Sequence, residues 1–244
     1  MKINLSKVLD KKIGYTYLSL SKNDINIIKS TITESFNNII LKNNQSKKKV
    51  TFKNYLKNIS LFKHEKIFTK KSRILKKKQF NKIFSNTQIF KKLKKKYPEI
   101  QITDEENIGY ENLYWRIVRP LPFVDIGPMH KDKWFWDLGH GKINSKKYQR
   151  VKIWISAASS TNKLGFKFAK GSANKKYKFK SEKRHGKIKP VFDENNLKKG
   201  SIVSFSNKNG NCIIFNDELL HGGECVKGNI CRLSIECTFL INKN

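Results

Sequence analysis

Two hydrophobic rhythms divide the chain near residue 110. Before it, apolar positions recur at helical spacing. Ser21 can cap a segment in which Ile25, Ile28, Ile32, Phe36, Ile39 and Ile40 follow a period close to 3.6 residues. Further helical stretches are expected across Phe52, Leu56, Ile59 and Phe62, across Ile74, Leu75, Phe80, Ile83 and Phe84, and through Ile89, Phe90 and Leu93. The last should stop before Pro98, because the residue preceding a proline avoids helical dihedrals. After residue 110 the period becomes two. Candidate strands are Leu113 to Arg119, Arg150 to Ala158, Phe166 to Ala169, Ser201 to Phe205, Cys212 to Phe215 and Cys231 to Leu240. Short strands with long loops suggest a β-sandwich or barrel, mainly β with α, its N-terminal helices packed on one outer face. In the last strand Arg232, Ser234, Glu236 and Thr238 alternate with Cys231, Leu233, Ile235, Cys237 and Phe239. Its polar face would meet water on an open sheet and a ligand cavity in a barrel; the alternation alone leaves both open.

Composition narrows the class. The 244 residues suffice for a large core, and 38% hydrophobic content with 16 Phe, 8 Tyr and 4 Trp argues against wholesale disorder. No apolar run is long enough to span a membrane, and the start lacks the unbroken apolar stretch of a secretory signal, so a cytoplasmic location is expected. The net charge of +33 invites a nucleic-acid reading, yet only six of the 52 basic residues are Arg. Arginine is preferred for bidentate phosphate and base contacts, so specific nucleic-acid binding is disfavoured and a solvated basic surface is expected. The four cysteines lie at 212, 225, 231 and 237 with no CxxC pair, which favours buried reduced thiols over a structural zinc site.

Candidate chemistry sits in the second half. His130 and Asp132, separated by one residue on an extended segment, project to the same side and can chelate one metal. His221 can complete a two-histidine, one-carboxylate face of an octahedral ferrous iron, leaving positions for a bidentate co-substrate and dioxygen. Gly222 and Gly223 allow close backbone approach after it. Arg232, eleven positions beyond His221, and Ser234 stand where a distal carboxylate could be gripped. His64, His140 and His185 read as non-ligands.

With MHKDKWFW around the first two ligands, VKIWIS, KFAKGSANKKY, GSIVSF and LLHGGECVKGNICRLSIECTFL, residues 110 to 240 resemble the Fe(II)/2-oxoglutarate-dependent dioxygenases of the phytanoyl-CoA dioxygenase-like branch. The resemblance implies a double-stranded β-helix (jelly-roll, cupin-like) core over 110–244, with a lysine-rich helical region, 1–109, packed on it as part of one compact unit. It implies iron on His130, Asp132 and His221, and 2-oxoglutarate on Arg232 and Ser234, with Trp154 as a candidate wall of the co-substrate pocket. The implied reaction uses O2, decarboxylates 2-oxoglutarate to succinate and hydroxylates a small organic substrate. The carboxylate Asp132 favours hydroxylation over halogenation. Tyr114 and Arg116 share a strand face that could reach the cavity, Trp134, Phe135 and Trp136 offer either a lid or core packing, and Lys131 and Lys133 would suit an anionic substrate. One departure is Gly171-Ser172-Ala173 where the family often has Gly-Ser-His. The competing readings are an oxidative nucleic-acid demethylase, weakened by the lack of a second Arg after Arg232, and a catalytically inactive jelly-roll binding module.

Overall fold

The computed structural model describes residues 3–46, 48–103, 112–140, 147–159, 165–184, 186–206, 208–225 and 227–242. Its helices are α1 (Leu5–Leu9), α2 (Lys22–Asn43), α3 (His64–Ile67), α4 (Lys77–Asn86), α5 (Gln88–Lys96) and α6 (Asp132–Asp137). Its strands are β1 (Tyr15–Ser19), β2 (Gln101–Thr103), β3 (Tyr114–Val118), β4 (Tyr148–Ala158), β5 (Phe166–Ala169), β6 (Lys180–Arg184), β7 (Lys187–Val191), β8 (Ile202–Phe205), β9 (Asn211–Asn216), β10 (His221–Gly223) and β11 (Arg232–Asn242). A six-stranded antiparallel sheet runs β1-β9-β4-β11-β2, with β3 also paired to β11; β10-β5-β8 form a second sheet, and β6-β7 a separate hairpin. Among the described residues no helix is long and apolar enough to cross a membrane.

Helix ends follow their sequence signals. Ser21 Oγ accepts from Asp24 N at 3.1 Å and caps α2. The buried Asp24 carboxylate in turn accepts from Gln88 N and Ile89 N at 2.9 and 3.1 Å, placing a negative charge at the start of α5. The expected helix across Phe52 to Phe62 is instead a pair of 3-10 turns, Phe52–Asn54 and Leu56–Leu61, with Asn58 non-helical inside the second. Five short strands escaped the sequence reading: β1, β2, β6, β7 and β10. The first two lie in the N-terminal 110 residues, where helix was expected, and pair at the sheet's margins, with β9 and β11 respectively. At three to five residues each, they hold too few alternations to declare a period.

The large sheet is apolar on its outer face. Val151, Ile153, Ile155 and Ala157 of β4 and Leu233, Ile235, Cys237, Phe239 and Ile241 of β11 join α2, α4 and α5 in the principal core. Phe36 is fully buried there, edge-on to Phe52 and Tyr55 and stacked on Phe68. A Phe36→Ala change would cost about 3–5 kcal/mol. Cys212, Cys231 and Cys237 are free, buried thiols in this layer. The opposite face of the same strands is polar: Arg150, Lys152, Trp154 and Ser156 on β4 stand opposite Leu240, Thr238, Glu236 and Ser234 on β11. That face looks toward the second sheet, across an aromatic layer of Trp154, Phe166, Phe168, Phe205 and Phe215.

Candidate metal centre

His130 lies in extended backbone just before α6 and exchanges two main-chain hydrogen bonds with His221, N–H to O at 2.8 and 2.9 Å. Directly paired antiparallel residues put their side chains on one side of the ladder. The two imidazoles accordingly face each other, ring centroids 4.7 Å apart. Asp132, the first residue of α6, presents its carboxylate to both rings: His130 Nε2 is 3.5 Å from Oδ1 and His221 Nε2 is 3.7 Å from Oδ2. One donor atom from each of the three residues lies within 4.8 Å of the others.

Each ring is oriented by the carbonyl two residues before it: His130 Nδ1 lies 3.0 Å from Pro128 O, and His221 Nδ1 lies 2.8 Å from Leu219 O. A carbonyl only accepts, so each Nδ1 carries the proton and each Nε2 lone pair points at the centre. Burial pushes the His221 pKa down to about 4 against the pull of Asp132, so the ring is neutral near pH 7. For Asp132, burial acts to raise the pKa, but Lys152 and the two imidazoles outweigh it and hold the carboxyl well below its usual range. Asp132 Oδ2 is buried without a hydrogen-bond donor. Buried carboxylate oxygens seldom lack one. Two imidazole nitrogens and this carboxylate are a donor set that suits a divalent transition metal.

Phe166 stacks on His221 at 5.4 Å and 17°, Phe215 lies 4.6 Å from the same ring, and Phe135 stands edge-on to His130. These rings keep the His221 side dry, while His130, with 22% of its side chain exposed, leaves an approach from solvent. Deeper in, Arg232 is buried, donates from Nη1 to Gly165 O, and keeps Nε without a partner. Burial lowers its pKa to about 10, still leaving it a cation at neutral pH. Its guanidinium lies 5.6 Å from the Trp154 ring centroid. Ser234, two residues along β11, is buried on the same face.

Among solved structures, EvdO2 from Micromonospora carbonacea var. aurantiaca, complexed with 2-oxoglutarate, superposes with a TM-score of 0.56 at 9% identity, covering 100% of this chain and 94% of that one. EctD from S. alaskensis, with 2-oxoglutarate and 5-hydroxyectoine, gives 0.51 at 13% identity over 98% of this chain and 76% of that one. ThoJ, a non-heme monooxygenase, gives 0.51 at 12% identity over 94% and 75%. The chain has the jelly-roll fold that these proteins share. No family model and no curated protein matches the sequence.

Within that fold the structure brings His130, Asp132 and His221 together, and sets Arg232 beside Trp154 with Ser234 on the same sheet face. Asp132 opens a helix rather than continuing an extended segment, a difference that keeps the same-side projection. The lysines flanking it do not wait at the mouth. Lys131 is buried, donates to Lys175 O at 2.8 Å and lies 5.5 Å from the Tyr177 ring, and Lys133 lies 3.8 Å from Glu218. Trp134 packs in the core, stacked on Phe179 at 4.6 Å, so it is no lid. Ala173 is fully buried beside Gly14, where even a Cβ on the glycine would come within 2.8 Å; a larger residue in the loop has no room. Ser172 Oγ meanwhile accepts from Leu220 N and steadies the residue before His221. His64 is buried away from the centre against Tyr55, His140 bonds Ile188 O, and His185 lies outside the described residues.

Two site residues were missed from sequence. Lys152 is buried with Nζ 3.8 Å from Asp132 Oδ2. Arg150 forms a buried ion pair with Asp217, 2.7 Å from Nη2, and lies 3.1 Å from the Trp136 ring centroid. The available signal was two cations alternating with Val151 and Ile153 in a strand buried on both faces.

Proposed function

We propose that the protein is a non-haem Fe(II)/2-oxoglutarate-dependent dioxygenase that hydroxylates a small organic molecule. The observation that carries this reading is the convergence of His130 Nε2, Asp132 and His221 Nε2 around an undonated carboxylate oxygen, with the buried Arg232 close to Gly223, two residues after His221. Ferrous iron held by these three residues would, together with 2-oxoglutarate and dioxygen, supply the oxidising power for a substrate C–H bond, 2-oxoglutarate being decarboxylated to succinate. The protein's own part is positional. Pro128 O and Leu219 O fix the imidazole tautomers, and Lys152 keeps Asp132 ionised. Arg232 receives the far carboxylate of 2-oxoglutarate as a charge-assisted pair, with Ser234 donating its hydroxyl and Trp154 walling the space. Phe166 and Phe215 exclude water beside His221.

The test is anaerobic addition of ferrous iron and 2-oxoglutarate. A weak visible charge-transfer band should form, and succinate should follow on admitting air. His221→Ala should abolish both. A wild-type protein giving neither band nor succinate rules out this function.

A further inference from the structure

A buried cation stands beside the metal ligands without being one of them. Lys152 Nζ lies 3.8 Å from Asp132 Oδ2, the oxygen that is also 3.7 Å from His221 Nε2. At 3.8 Å an ammonium makes no hydrogen bond, and Oδ2 is buried without a donor. Lys152 therefore acts on this carboxylate through its charge and leaves the lone pairs to a metal. Of the charges that hold the Asp132 carboxyl ionised, that of Lys152 weighs most.

The sheet fixes where that charge sits. β4 lies between β9 and β11, and Lys152 stands opposite Phe215 on one side and Thr238 on the other. The Phe215 ring in turn lies 4.6 Å from that of His221. Val151 and Ile153, the chain neighbours of Lys152, are anchored in the principal core. With 3% of its side chain exposed, the lysine keeps its ammonium out of bulk water. Burying a cation costs free energy that an aliphatic side chain of the same length would not. The neighbouring strand cation, Arg150, is matched by Asp217 at 2.7 Å. Lys152 is instead set against the carboxylate that a metal must share.

A fixed cation beside a metal site acts with a definite sign. It opposes each further unit of positive charge on the metal, and more strongly in a buried site than in water. It therefore favours a divalent over a trivalent ion and attracts an anion entering the same space. Building on the oxygenase reading, we propose that Lys152 is a positioning residue that keeps the resting iron ferrous. Its charge raises the Fe(III)/Fe(II) potential. It thereby resists the loss of one electron to dioxygen, which would leave ferric iron and superoxide and stop turnover. The same charge loosens the hold on any divalent ion and tightens that on the 2-oxoglutarate dianion.

The experiment is a mediated redox titration of the iron-loaded full chain, wild type against Lys152→Met, Lys152→Gln and Lys152→Arg. Both neutral variants should lower the potential by at least about 59 mV, a tenfold shift in the ferric-to-ferrous ratio, and Lys152→Arg should keep it. Zinc, which has no redox chemistry, separates charge from oxidation state. Its affinity, read by chelator competition, should rise at least tenfold in Lys152→Met, while 2-oxoglutarate affinity, read from the charge-transfer band, falls. A merely structural role would weaken both. An unchanged or raised potential in the neutral variants, a fall in Lys152→Arg as large as in Lys152→Met, or weakening of both ligands overturns the proposal. Should Lys152→Met not fold, Lys152→Gln carries the comparison. A wild type that takes up no iron overturns this proposal and the oxygenase reading together. One that binds iron but forms no band with 2-oxoglutarate removes the oxygenase reading alone, and the potentials still decide the role of Lys152.

Discussion

Replacing Asp217 with Asn should destabilise the protein far more than its single-atom change suggests. The carboxylate accepts from Arg150 Nε at 2.8 Å and from Gln149 Nε2 at 3.0 Å, while Arg150 Nη2 lies 2.7 Å away. The two side chains are only 3% and 5% exposed. Removing the negative charge strands a buried guanidinium whose Nη1 already lacks an acceptor. Breaking one half of such a pair costs about 3–5 kcal/mol. At about 2–4 °C per kcal/mol for a chain of this size, Tm should fall by roughly 6–20 °C. Urea unfolding should show a lower midpoint at unchanged m. Arg150→Met/Asp217→Leu, which leaves no charge behind, should recover much of that loss. A single-variant cost under about 1 kcal/mol, or a double variant no better than Asp217→Asn, would refute this account of the buried pair. The same change should loosen iron binding, because Lys133 N bonds Asp217 O at 3.0 Å and Trp136 lies against Arg150, tying the pair to the helix that begins with Asp132.

Other consequences are as direct. Arg232→Lys should weaken 2-oxoglutarate about 10- to 100-fold with iron affinity kept, read from titration of the charge-transfer band, since an ammonium cannot reproduce the guanidinium fork; unchanged affinity would remove Arg232 from the co-substrate site. Gly223→Ala would set a Cβ 2.8 Å from Ile126 Cγ2 and 3.7 Å from Arg232 Nη2, so 2-oxoglutarate binding should weaken in a folded protein, and wild-type affinity would show the contact to be soft. His64 is held near pKa 4 by burial first and then by the Arg119 charge, whereas the unfolded imidazole titrates near 6.5. Between those values the unfolded chain binds the extra proton, so His64's contribution is full above about pH 6.5 and is lost as pH falls toward 4, on the order of 3 kcal/mol in all. His64→Gln should flatten that stretch of the stability–pH curve, and an unaltered slope would exonerate the histidine.

Much of the site was legible because its parts are short-range or strongly typed. An H-x-D pair, a glycine-flanked histidine and an alternating R-x-S strand carry their geometry in their spacing. Long strands such as β4 and β11 declared their period, and α2 declared its cap. What stayed hidden is non-local. The Arg150–Asp217 pair joins residues 67 apart, and nothing in either neighbourhood names the other. The β6-β7 hairpin hides in a lysine-rich stretch because exposed cations on both faces erase the alternation that marks a half-buried strand.

The two-faced large sheet divides labour residue by residue. Val151, Ile153 and Ile155 grip the helical layer, while Lys152, Trp154 and Ser156, interleaved with them, face the second sheet, where Lys152 reaches Asp132. Neighbouring positions on one strand thus answer to different selective demands. The even-numbered set on β4 can change only within what Asp132 and the co-substrate space tolerate, while the odd-numbered set answers to the packing of the helical layer, so a single strand couples the chemistry to the core at every step.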